Sequence, residues 1–176
     1  MGYFLRKMML LFVATALIGT FTLSGLCDRP VAHAAIRQLE EAPGQVVYQS
    51  RQALTDQRGD RWQVIAFKRT RPDHTTAIYL RLVGFPGSAQ LDRSQPLRLT
   101  NSLGKTLTAT DASQDMFTDE TQVKPEIGQY DLQPILLQLE SAIPLQLVLP
   151  TLDSTEIILN VAPELVVEWR SLATAA

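Results

Sequence analysis

The sequence predicts a mainly β domain: an antiparallel sandwich or half-open barrel of about seven strands, with two short helices in the C-terminal third. Three observations lead there. Apolar and polar residues alternate with a period of two through most of residues 46–109. Runs of β-branched and aromatic residues are parted by short turn segments, and helical spacing enters only after Asp131. Successive hairpins imply antiparallel pairing, with helices left to cover an end or an edge.

Taken in order, Val46–Leu54 and Arg61–Thr70 read as the first two strands. Thr55–Asp60 between them is turn chemistry, with Gly59 available for a positive φ. Ala77–Val83 then places Ile78, Leu80 and Leu82 on one face and Tyr79 and Arg81 on the other, after a turn at Arg71-Pro72-Asp73-His74. Leu97–Thr100 and Thr106–Ala109 flank Asn101-Ser102-Leu103-Gly104-Lys105, which predicts another hairpin. Asp131 is placed to cap a first helix whose apolar residues Leu132, Ile135, Leu136 and Leu139 fall at i, i+3, i+4 and i+7. Pro134 is tolerated in its first turn and Pro144 stops it. Leu145, Leu147 and Leu149 alternate in a further strand, and Glu156–Val161 returns beside it after the turn Pro150–Ser154. Pro163 at a first helical position, with Leu165, Val166, Trp169 and Leu172 on one stripe, predicts the second helix.

The first 34 residues have a different character. Arg6 and Lys7 precede an uncharged apolar run, Met8–Leu26, and Ala32-His33-Ala34 offers small residues where a signal peptidase requires them. The expected organisation is a cleaved signal peptide over residues 1–34, cut between Ala34 and Ala35, and a single β-rich domain over 35–176. The competing reading is an uncleaved anchor, since 19 residues just suffice to cross a bilayer core of about 30 Å. Gly19, Ser24, Gly25 and the threonines make a poor permanent span. Lipidation of Cys27 is disfavoured because Leu26 stands where a small residue is required. Once the leader is cut, no cysteine remains and His74 is the one histidine. That excludes a disulfide, a thiolate nucleophile and a Cys/His zinc site in the mature chain.

Charge is unevenly distributed. The whole chain carries −2 at pH 7 with a pI near 5.7 and no block of like charge, which argues against a nucleic-acid binder. Between Arg51 and Arg98, however, nine basic side chains face four acidic ones, whereas from Leu99 onward three basic face eleven acidic. One reading is a basic sheet face, interleaved with Tyr79 or Phe85, that docks an anionic partner. The competing one is that the two halves neutralise each other in the fold while arginine stems cover apolar surface.

Residues suited to catalysis are sparse. His74 beside Asp73 has the makings of a general base, yet no Gly-x-Ser-x-Gly elbow or other nucleophile accompanies it, and a solvated turn histidine is the simpler reading. Ser88, in Phe85-Pro86-Gly87-Ser88, reads as a turn hydroxyl. Asp111, Asp115, Asp119 and Glu120 form an acidic segment, but without the spacing or the glycine of an EF-hand loop. Phosphate loop, dinucleotide fingerprint and His-Glu-x-x-His are all missing. No catalytic residue, metal ligand or cofactor is therefore expected, although a pair of carboxylates for glycoside hydrolysis needs no sequence mark.

Ala35–Ser50, Tyr79–Gly87, Leu99–Lys105 and Gly128–Leu132 together resemble a cyanobacterial exported family of unknown function, domain of unknown function 3122. The resemblance covers nearly all of the chain after the leader. It implies a cyanobacterial source and residence in the periplasm or thylakoid lumen, and it carries over no active residue. The resulting expectation is an exported soluble accessory or binding domain in which Tyr79, Arg81, Phe85 and Arg98 contact an acidic protein or an anionic membrane surface. The alternative is a periplasmic or lumenal hydrolase that uses carboxylates, assisted by calcium.

Overall fold

A computed structural model describes residues 36–42, 45–116 and 124–175 of the chain. The leader lies outside them, as do Asp119 and Glu120. Period-two alternation puts every second side chain on the same side of a strand, and here it produces nine strands among the described residues. They are β1 (Arg37–Ala42), β2 (Gln45–Thr55), β3 (Arg61–Thr70), β4 (Thr76–Val83), β5 (Leu97–Asn101), β6 (Thr106–Ala109), β7 (Ile127–Asp131), β8 (Leu145–Leu149) and β9 (Ile157–Val161). A five-stranded sheet has the order β1-β2-β3-β4-β7 and a four-stranded sheet the order β6-β5-β8-β9. Every ladder is antiparallel, and no barrel closes.

Seven of these strands are those the alternation predicts; the other two correct the expected number. β1 reads Arg-Gln-Leu-Glu-Glu-Ala, with Arg37 through Glu40 exposed, so it has no buried face to announce it. It is an edge strand, and charge along an edge opposes pairing with other chains. β7 escapes notice for the opposite reason. Gly128, Gln129 and Tyr130 are all buried, so a glycine and an amide stand where a hydrophobic residue would have given a signal.

The first predicted helix is also corrected. Leu132, Ile135, Leu136 and Leu139 are buried as their spacing requires, but only a 3-10 turn forms, at Leu136–Gln138. Gln138 N–H donates to Ile135 O and Leu139 N–H to Leu136 O, both i to i−3. Pro134 supplies no N–H, and the stretch between it and Pro144 is too short to recover the cost of nucleating an α-helix. The second prediction holds: α1 (Pro163–Ser171) starts on Pro163 and buries Leu165, Val166 and Trp169.

Both sheets supply one hydrophobic core. Trp62, Val64, Leu80 and Leu82 from the first sheet meet Leu97, Leu99, Leu147, Leu149, Ile157 and Leu159 from the second, and Trp169 of α1 joins them. A fully buried leucine contributes about 1.5–3 kcal/mol, so these side chains outweigh any local propensity. At the edge of this core Ser50 Oγ donates to Glu168 Oε2 at 2.7 Å, fastening β2 to α1.

The turns share one device. In Asp73-His74-Thr75, Asp92-Arg93-Ser94, Asp111-Ala112-Ser113 and Asp153-Ser154-Thr155, Asp Oδ1 accepts the backbone N–H two residues on, at 3.0–3.1 Å. The same carboxylate accepts that residue's hydroxyl at 2.6–2.7 Å. Asp56 and Asn101 do the related job in the β2–β3 and β5–β6 hairpins, where Gly59 and Gly104 take φ of 92° and 86°.

Candidate functional site

Residues directly opposite in an antiparallel ladder share a face of the sheet, so the register fixes what the side of the five-stranded sheet away from the core displays. One row runs Arg51, Ile65, Arg81, Gln129. The next runs Arg37, Gln49, Phe67, Tyr79, Asp131, and a third Leu39, Val47, Arg69, Ala77. Arg61 opposes Thr55 at the far end. Five arginines from four strands therefore share this face, and Asp131 is the one acid in these rows. Lys68 has the opposite parity and sits on the inner side, where Nζ donates to Ala175 O at 2.7 Å.

Beneath the arginines lies a small apolar layer, separate from the main core: Val47, Ile65, Phe67 and Tyr79, all buried. Phe67 and Tyr79 are tilted against each other with centroids 5.6 Å apart. The guanidinium carbons of Arg69 and Arg81 stand 5.4 and 5.0 Å from the Phe67 centroid, within cation–π range. Arg81 Nε and Nη2 donate to Gln129 Oε1 at 3.1 and 2.8 Å, and Gln129 Nε2 in turn donates to Ala112 O at 3.2 Å. Tyr79 OH donates to Asp115 Oδ2 at 3.0 Å. Burial first, and that hydrogen bond second, push the Tyr79 phenol above its usual pKa.

The four residues expected to bind are thus placed differently from one another. Tyr79 and Arg81 share the basic face in adjacent rows, but the Tyr79 ring is buried and its hydroxyl is engaged. Phe85 follows the end of β4 in a turn closed by Ser88 N–H to Phe85 O, and is 73% exposed. Arg98 lies on the four-stranded sheet, in a row with Thr108 and Val148, and is ion-paired with Glu156. The fold brings Tyr79 and Arg81 together and leaves Arg98 on a separate sheet. Arg37, Arg51, Arg61, Arg69 and Phe67 were missed. Their common strand parity was a readable signal for β2–β4, but β1 had not been recognised.

The remaining chemistry-bearing residues are mostly committed to structure. His74 is exposed in its turn at φ 63°, and the Asp73 carboxylate turns to Thr75, whose hydroxyl bond lowers its pKa. Ser88 Oγ is buried. Asp111 accepts from Ser113 N and Oγ, and Asp115 from Tyr79; both line an open groove of about 630 Å³ with Arg93 and Gln114. A neighbouring groove of about 380 Å³ is lined by Arg98, Glu156, Asp92 and Thr155. Among the described residues, no three His, Cys, Asp or Glu side chains are grouped to hold a metal ion.

The sequence profile of a family described as Protein of unknown function (DUF3122) matches residues 34–172. The chain belongs to this family. No curated protein and no solved structure matches it. In this DUF3122 member, all nine strands and α1, and with them the basic face and both grooves, lie within the matched span.

Proposed function

We propose that this DUF3122 protein is an exported accessory domain that recognises an anionic partner through the outer face of its five-stranded sheet. The observation that carries this reading is the register, which gathers Arg37, Arg51, Arg61, Arg69 and Arg81 from β1, β2, β3 and β4 onto one side. Part of the charge segregated along the sequence is thereby gathered on one face, where a chain of net charge −2 places five arginines. Arg37, Arg51 and Arg61 are exposed, and the ion pairs among the described residues do not involve them. The apolar layer with its stacked Arg69 and Arg81 makes the centre of the face rigid, which lowers the entropy lost on docking. Its place would be the periplasm or thylakoid lumen of a cyanobacterium, after removal of residues 1–34.

Affinity capture with the tagged protein at low and at moderate salt tests this. A partner retained at low ionic strength and released as the Debye length shrinks from about 30 to about 8 Å supports it. Absence of any salt-sensitive partner refutes it.

A carboxylate hydrolase is the second reading, favoured by one observation: Asp111 and Asp115 line the same groove. Turnover of a chromogenic ester or glycoside, lost in Asp111→Asn and Asp115→Asn, would establish it.

A further inference from the structure

We infer that the anionic partner is a lipid surface rather than an acidic protein; this rests on the reading just given and narrows it. Three features of the face point there. The first is spacing. From the distances between strands and between residues along them, Arg37 and Arg51 stand about 8 Å apart at Cα, and Arg51 and Arg61 about 14 Å. Charges spread this way over several strands match a fluid array of headgroups, each free to drift beneath its own guanidinium. An acidic protein would need fixed carboxylates at the same positions.

The second feature is shape. Both grooves described above are lined from residues 92–98, 108–115 and 148–156, so neither opens on the rows that carry Arg37, Arg51 and Arg61. A protein partner gains its central contacts by filling pockets, whereas a bilayer surface needs only a broad, shallow face. The third is Leu39. It is 46% exposed on β1 in the row of Val47 and Arg69, two residues from Arg37 on the same side. An apolar side chain set among cations is suited to the boundary between headgroups and acyl chains. Arginine also offers phosphate a bidentate donor pair that lysine lacks.

Docking in this pose lays β1–β4 flat on the membrane and turns the four-stranded sheet, whose strands carry Arg98 as their one charged residue, toward the aqueous phase. The negative remainder of the molecule then opposes every other orientation.

The test is sedimentation of the purified protein with vesicles of phosphatidylglycerol and of phosphatidylcholine, in parallel with a soluble acidic polypeptide, polyglutamate. Binding to phosphatidylglycerol alone is expected, reduced at least tenfold by Arg37→Glu with Arg51→Glu. Leu39→Ser should reduce vesicle binding severalfold. All three positions are exposed, so these variants retain the fold, which circular dichroism checks. Binding to polyglutamate but not to vesicles overturns the lipid assignment and leaves the anionic-partner reading standing. Binding to neither overturns both. Vesicle binding that is indifferent to the arginine reversals and to Leu39→Ser shows that another surface docks, and overturns the inference.

Discussion

The Ser50 hydroxyl and the Glu168 carboxylate, 118 residues apart in sequence, meet at 2.7 Å and join β2 to α1. Ser50 is fully buried and Glu168 half-buried, so water competes poorly for the hydroxyl. Ser50→Ala removes the donor and leaves the carboxylate beside an apolar wall, which should lower the unfolding free energy by about 1–3 kcal/mol. Glu168→Gln keeps an acceptor and should cost less. Urea denaturation of both variants gives the comparison.

Asp56 carries more of the fold than its place in a turn suggests. It is 6% exposed, and it accepts Arg58 N–H, Asp60 N–H and the indole N–H of Trp62. Asp56→Ala strands three donors and should destabilise by about 3 kcal/mol or more. Trp62→Phe, which removes one donor and part of a ring from the core, should cost about 1–3 kcal/mol. The two changes touch one another, so the double variant should lose less than the sum.

Gly84, where the chain leaves β4, tolerates no side chain. A Cβ there would fall 2.6 Å from Ser88 Oγ and 2.9 Å from Trp62 Cη2. The hydroxyl can swing away, but the indole is locked in the core. Gly84→Ala should therefore destabilise by about 1–3 kcal/mol through overpacking. Phe85→Ser next to it alters a side chain already 73% exposed and should stay within about 0.5 kcal/mol. Thermal unfolding of the pair separates the two effects.

Titration should show the turns directly. Hydrogen bonds from Thr151 and Thr155 hold the Asp153 carboxyl at a pKa of about 2, against an ordinary 3.8. A group whose pKa is depressed on folding stabilises the fold above its unfolded value and loses that contribution as pH falls through the folded one. The Asp153 share of stability should therefore fade between pH 3.8 and about 2. Carbon-detected NMR of the carboxyl should find the low pKa, and Thr155→Ala should raise it. At the other end of the scale, burial raises both Tyr79 and Tyr130 above the ordinary phenol value of 10.0. The unfolded chain then ionises first, so stability is full below pH 10.0 and falls as pH rises above it. Tyr79→Phe and Tyr130→Phe should each flatten that alkaline decline.

β5, β6 and β9 were legible because each has a wetter and a drier face, which alternation records, whereas β3, β4 and β8 bury consecutive residues and were legible from their aliphatic and aromatic runs bounded by turns. β1 and β7 were not, because one is wet on both sides and the other buries Gly128 and Gln129. The segment after Asp131 shows that spacing reports which side chains are buried rather than which helix buries them. Leu132, Ile135, Leu136 and Leu139 reach the core from a 3-10 turn as well as they would from an α-helix. Of the site, the parity of Tyr79 and Arg81 was readable within β4. Their company was not, since the row from Arg37 to Asp131 depends on an unrecognised edge strand and on β7 pairing with β4 across the whole second hairpin system. Arg98 carries the same charge as these arginines, and nothing in its local pattern says that its strand joins a different sheet.

The one-sided placement of five arginines gives the molecule a large electric dipole moment, and this governs its behaviour at any charged solid. With a pI near 5.7 the protein should pass through a cation-exchange column at pH 7 if net charge decided the matter. A flat array of sulfonate groups samples one face at a time, however, and at low ionic strength it should retain this protein in a single orientation, sheet down. Elution in a shallow salt gradient, ahead of a variant in which the arginines of β1 and β2 are intact but those of the hairpin β3–β4 are reversed, would contradict that picture; elution after it would follow from it.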